Sequence, residues 1–155
     1  MIFDAFLETG WNDHADHPQE VADRLAGSLQ LVAAPEHISP FARLLTHVYG
    51  EHLGQWQRGI ELLESVRALP ANDGSDEVAG PLTRNIATLR HCSGEPGVLD
   101  TLSAEDRIAV LAAAASAFAG RSDHAKAIAA YGDALRLADA GLPDGSPALR
   151  ALAAG

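Results

Sequence analysis

Thiols are almost missing from this 155-residue chain: Cys92 is the single cysteine, so no internal disulfide can form and a reducing compartment is expected. Aromatics are also scarce, at 5% against 47% hydrophobic residues, which leaves Ala, Leu, Val and Ile to build the core. An alanine-rich core with few β-branched residues favours closely packed helices over sheets. Lysine occurs once, at Lys126, and alanine rather than glycine precedes it. A glycine-rich phosphate loop is therefore absent, as is a G-x-S-x-G elbow, and nucleotide-driven chemistry is not expected. The longest apolar run, 108–120, is too short for a bilayer, which needs about 20 residues. The opening Met1-Ile-Phe-Asp-Ala-Phe has no basic leader and carries Asp4 nearby, so no secretory signal is expected. Positive charge is in short supply too, with 11 Lys and Arg against 21 Asp and Glu, a net −10. A phosphate backbone would be repelled by that field. The expectation is a cytoplasmic protein that binds neither nucleic acid nor membrane and needs no cofactor.

What the chain does have is helical periodicity. Its length suits one domain over 1–155 with a core of its own. Residues 2–9 read as a short amphipathic turn, and Gly10 to His17 as a polar loop. Asp16 as cap, Pro18 in the first turn and Gln19 completing a capping box predict a helix to about Ala33, burying Val21, Leu25, Leu29 and Val32. Ser39-Pro40 predicts the next start, with an apolar stripe of Phe41, Leu44, Leu45, Val48, Tyr49 and Leu53. Trp56, Ile60, Leu63, Val66 and Leu69 mark a partner helix closed by Pro70. Val78 to Cys92 has helical spacing, and the breakers in Ser93-Gly-Glu-Pro-Gly predict an irregular linker over 93–102. Ser103-Ala-Glu-Asp then caps a further helix, with acidic residues at its positive end.

Residues 108–141 form the most regular stretch: two helical segments joined by Arg121-Ser-Asp-His. In the second, Ala127, Ile128, Tyr131, Ala134, Leu135 and Ala138 share one face. Small residues at Ala114, Ala115, Ala127 and Ala134 would let the two helices approach, with Phe118 and Tyr131 between them. The pair 38–70 repeats this pattern: Trp56 matches His124, Ile60 matches Ile128, Leu63 matches Tyr131, Val66 matches Ala134 and Leu69 matches Leu137, each 68 apart (124 − 56). That is twice a period of about 34 residues, and the unit resembles a tetratricopeptide repeat (TPR). The family's aromatic near the start of the first helix is replaced by Leu111, and its closing proline is absent. The resemblance implies an all-α, antiparallel helix-hairpin solenoid of about six to seven helices. Its units would be 38–70, a degenerate 74–102, 103–141, and the start of another at 146–155. The chain ends without a polar capping helix, so either a fragment of a longer repeat protein or a homodimer through the C-terminal end is expected.

Few residues point to chemistry. Asp13-His14-Ala15-Asp16-His17 could supply half of a zinc or nickel site, but a capping loop with solvated histidines is the expectation, and no metal is assigned. His47 and His52, five apart, would point about 140° away from one another on an α-helix. His47 and Glu51 share a face, and a hydrogen-bonding pair or plain solvation is expected there rather than catalysis. His91 and Cys92 are neighbours and face different ways, so Cys92 reads as a small core residue. Trp11 and Trp56 read as packing residues.

The resemblance implies a groove whose wall is the first helix of each pair, lined by Ala109, Ala112, Ala113 and Ser116 in the regular hairpin and by Arg43, Leu44 and His47 in the earlier one. The functional expectation is a non-enzymatic protein–protein interaction or scaffold module binding a peptide or helix in that groove. Arg84 and Asn85 would supply part of a carboxylate grip of the kind some family members use, although a smooth alanine wall suits an apolar segment better. The alternatives are a small acidic chaperone of the bacterial secretion type, a metal-dependent enzyme built on 13–17, and an oligomerisation domain.

Overall fold

The computed structural model describes residues 2–141; the expected further unit at 146–155 lies outside them. Among the described residues the protein is all-α, with seven α-helices and no strand. The helices are α1 Ile2–Asp13, α2 Pro18–Ala26, α3 Pro35–Thr46, α4 Trp56–Arg67, α5 Asp76–Cys92, α6 Ala104–Gly120 and α7 His124–Asp139. A turn of π-helix, His47–His52, continues α3, and single 3-10 turns lie at Leu29–Leu31 and Leu99–Thr101. No helix among the described residues is long and apolar enough to cross a membrane.

The N-terminal third differs from the sequence expectation. Residues 2–13 form a full helix rather than a turn followed by a loop, because tertiary contact carries it through Gly10: a side chain there would meet Leu44 at 2.8 Å. The helix opened by Pro18 stops at Gly27, well before Ala33. His17, not Asp16, holds its cap position and makes no side-chain cap bond. Gln19 instead donates to Asp23 and accepts from Gln55. The helix expected to start at Ser39-Pro40 begins earlier, at Pro35, so that Pro40 lies inside α3. The carbonyl that Pro40 leaves unbonded is that of Glu36, an exposed first-turn residue.

From Trp56 onward the agreement is close. The helix starts at Trp56 and His124 fall 68 apart as expected. Ser103 Oγ accepts the Asp106 N–H at 3.2 Å, and Val98, Leu99 and Leu102 are half-buried.

Two apolar clusters hold the chain together. The larger gathers Phe41, Leu44, Leu45, Val48 and Tyr49 with Ile60, Leu63, Leu82 and Leu89. The smaller joins Cys92 to Ile108, Leu111, Ala114, Phe118, Ala130, Ala134 and Ala138, and Trp56 packs against both. Alanine against alanine explains the intimate α6–α7 contact, since nothing holds the backbones apart. One expectation fails here. Ile128 is 73% exposed and Leu135 41%, so they stand outside the core, and Ala130 takes an inward position instead. They flank an apolar groove between α6 and α7 of about 540 Å³, floored by Ala112, Ala115, Ala119 and Gly132.

Candidate functional site

The residues expected to line one wall are divided by the structure. Arg43, His47, Ala113 and Ser116 do share a cleft, of about 340 Å³, with Trp11, Glu51 and Asn85. Leu44 does not: it is fully buried against α1. Ala112 turns to the α6–α7 groove, and Ala109 is half-buried away from both. The wall is therefore not a smooth sheet of alanine. Helices α3, α5 and α6 each contribute a polar side chain to it: Arg43, Asn85 and Ser116.

Arg43 lies over the Trp11 ring, 5.5 Å from its centroid, which fixes the guanidinium by cation–π attraction. It pairs with no carboxylate among the described residues, and the Asn85 amide has no hydrogen-bond partner among them. Arg84, by contrast, is engaged with Asp106 at 3.4 Å. Trp11 is thus both a packing residue and a platform.

Beside the cleft, three imidazoles meet. Ring centroids of His14, His47 and His52 lie 5.0, 4.9 and 4.7 Å apart, a nearly equilateral triangle. Five residues on an α-helix would separate His47 from His52, but here the Leu53 N–H reaches back five residues to the Val48 carbonyl, at 3.0 Å. With i→i+5 bonding, residues five apart stack on one face. The two Nε2 atoms come to 3.1 Å, which overturns the divergent arrangement expected from helical geometry. His14 arrives from the end of α1. Of the 13–17 cluster it alone joins the triangle, while Asp13 pairs with Arg24 at 2.9 Å.

Two of the three imidazoles are held from behind through Nδ1, and His52 is held only through its backbone carbonyl. The Nδ1 of His47 bonds Glu51 Oε2 at 2.7 Å, the pair expected from their spacing. The Nδ1 of His14 bonds the Trp11 carbonyl, and the His52 carbonyl accepts from Arg121. Since His47 Nδ1–H points to Glu51, its Nε2 presents a lone pair, and His52 Nε2–H donates to it. Burial lowers the pKa of His47 below its ordinary value, partly offset by the Glu51 carboxylate and reinforced by His52 and His14. Burial, then His14, lowers that of His52. For His47 and His52 these effects favour the neutral ring, the form that accepts a hydrogen bond or ligates a cation.

Glycine makes room for the widened turn. A Cβ at Gly120, the last residue of α6, would lie 2.3 Å from Glu51 Cγ and 2.8 Å from the Glu51 carbonyl oxygen. Cys92 is buried among the α6–α7 residues, and desolvation pushes its thiol pKa up to about 12, so it offers no nucleophile. No protein-family model matches the chain, and no curated protein or solved structure is significantly similar to it.

Proposed function

We propose that the chain is a non-enzymatic, TPR-like interaction module whose solenoid groove binds an extended peptide segment presenting a carboxylate. The observation that carries this reading is the convergence of Arg43 and Asn85 in one cleft, neither engaged by a carboxylate or hydrogen-bond partner among the described residues. A fixed guanidinium and a free amide are suited to hold a carboxylate, because charge-assisted hydrogen bonds exceed neutral ones. They do so in a chain of net charge −10, where an unneutralised arginine in a cleft stands out against the surrounding field. Ser116 adds a hydroxyl to the same cleft, and Ala113 leaves space for backbone to lie close. The recurrence of helix starts at Trp56 and His124 supports the repeat architecture.

The test is fluorescence anisotropy with a library of labelled peptides ending in free or amidated carboxyl groups and carrying acidic or neutral side chains. Arg43→Ala should weaken acidic or free-carboxyl binders by roughly 10–100-fold, the worth of a charged hydrogen bond of about 1.5–3 kcal/mol. Asn85→Ala should do so by less. Binding that ignores both substitutions, or that prefers neutral amidated peptides, would sink the reading.

A further inference from the structure

We propose that His14, His47 and His52 form a binding site for one transition-metal dication of the zinc class, with a fourth coordination position open. One ligand atom from each residue lies within 4.8 Å of the others. Tetrahedral zinc with bonds of about 2.0–2.1 Å holds its nitrogens about 3.3 Å apart. The His47–His52 separation of 3.1 Å already matches this, so His14 needs only to close in by side-chain rotation. The site shares the edge of the cleft through His47 but uses neither Arg43 nor Asn85, and failure of the peptide reading would leave it standing.

The arrangement behind the rings distinguishes a ligand set from an incidental stack. Metal-bound histidines characteristically donate their second ring N–H to a carboxylate or a backbone carbonyl, which fixes the tautomer and aims the other nitrogen inward. His47 does this through Glu51 and His14 through the Trp11 carbonyl, using Nδ1 in both cases. Both therefore present Nε2, and His52 presents its Nε2 toward His47. For His52 to ligate as well, the proton it shares with His47 through Nε2 would move to its Nδ1, a change of tautomer.

The ligands also come from where a chelate gains most. His14 belongs to the end of α1, whereas His47 and His52 frame a π-turn, a distortion that recurs at functional sites. The imidazoles are half-buried, with His47 at 29% side-chain exposure, so an ion can enter from solvent. Nitrogen-only donation selects zinc, nickel, cobalt or copper over magnesium or calcium, which want oxygen. Glu51 contributes a negative charge bonded to His47, against the positive charge of Arg121, which bonds the backbone carbonyl of His52 and is felt by its ring. His47 and Glu51 line the adjacent cleft, which places the open position within reach of whatever that cleft admits.

Untagged protein, stripped with chelator, would be titrated with Zn(II), Co(II) and Mg(II) by calorimetry and by competition with a chromophoric chelator. The expected result is one Zn(II) or Co(II) per chain, no Mg(II), and a visible Co(II) spectrum of low coordination number. His14→Ala, His47→Ala and His52→Ala should each weaken binding by roughly 100-fold or more, and Glu51→Gln by about 10–100-fold. His124→Ala, on exposed α7, should change nothing. Far-UV circular dichroism checks each fold, and His52→Gln keeps a polar side chain of similar reach should alanine unfold the turn. Absence of stoichiometric uptake, or uptake that all three replacements leave intact, overturns the proposal.

Discussion

The hairpins α3–α4 and α6–α7 turn the chain in the same way and finish it differently. Each turn uses one residue of positive φ, Gly54 at 62° and Ser122 at 61°, and a helix begins two residues later. Before the turn they part company. In the second hairpin the Asp123 N–H reaches back five residues to the Phe118 carbonyl; in the first the Gln55 N–H reaches back six, to Tyr49. One extra residue has been accommodated as a π-turn, and that insertion brings His47 and His52 together. The cores differ as well: Phe41, Leu45, Tyr49, Ile60 and Leu63 in one, and mainly alanine in the other. Two hairpins that turn alike thus differ by one inserted residue, and only the one with the insertion brings two imidazoles together.

The sharpest test of this contrast uses two isoleucines that occupy equivalent positions. Ile60→Ala should cost about 2–5 kcal/mol, the usual penalty for emptying a buried site. Ile128→Ala should stay within about 0.5 kcal/mol, because that side chain is 73% exposed. Urea denaturation measures both, and equal losses would make the hairpins energetically alike. Next in size is a pair of glycines. Gly120→Ala drives a methyl into the Glu51 backbone and should destabilise by about 1–3 kcal/mol. Gly132→Ala, on α7, meets only the end of the Arg136 side chain at 3.5 Å and should stabilise by roughly 0.5–1 kcal/mol through helix propensity. Thermal melts that show the same sign for both would remove the claim that the π-turn is tightly seated on α6. The smallest effect belongs to Cys92, where α5 meets the alanine-rich core. With its pKa raised to about 12, it should react with a thiol reagent only as fast as the protein opens, in step with global unfolding in denaturant.

The second half of the molecule was legible because local signals there agree with tertiary structure. Ser103 and Asp123 cap their helices through their own side chains, and alanine spacing sets the α6–α7 contact. Ile128 and Leu135 misled because a helical stripe wide enough for two neighbours is met here by one, so half of it stays outside the described core. The start of the chain resisted reading for the opposite reason. Gly10, Pro35 and Pro40 are breakers by propensity, and packing against Leu44 or placement in a solvated first turn overrides them. Half of the candidate site was visible as individual residues. Arg43, His47, Ala113 and Ser116, which the TPR resemblance puts on a groove wall, share one cleft, while Leu44 is buried in the core, Ala112 faces the α6–α7 groove and Ala109 lines neither. The histidine triangle was hidden by the assumption of 3.6 residues per turn. Its only trace is that the turns align at 68 positions, whereas the buried aromatics Tyr49 and Phe118 align at 69.

Tyr49 closes a long loop. Its hydroxyl donates to the Ala22 carbonyl at 2.8 Å, 27 residues away, and Gln55 donates to Gln19 across 36 residues. Contacts of that span come late in chain ordering, since loop-closure entropy must be met first, whereas α6 and α7 meet as sequence neighbours. The imidazole triangle straddles the same closure, with His14 on one side and the π-turn on the other. It exists only while the two N-terminal helices are docked, so their transient undocking and its dissolution are one event. Amide hydrogen exchange in α1 and α2 would then read out occupancy of a site those amides never touch, slowing as a bound ion ties His14 to the turn.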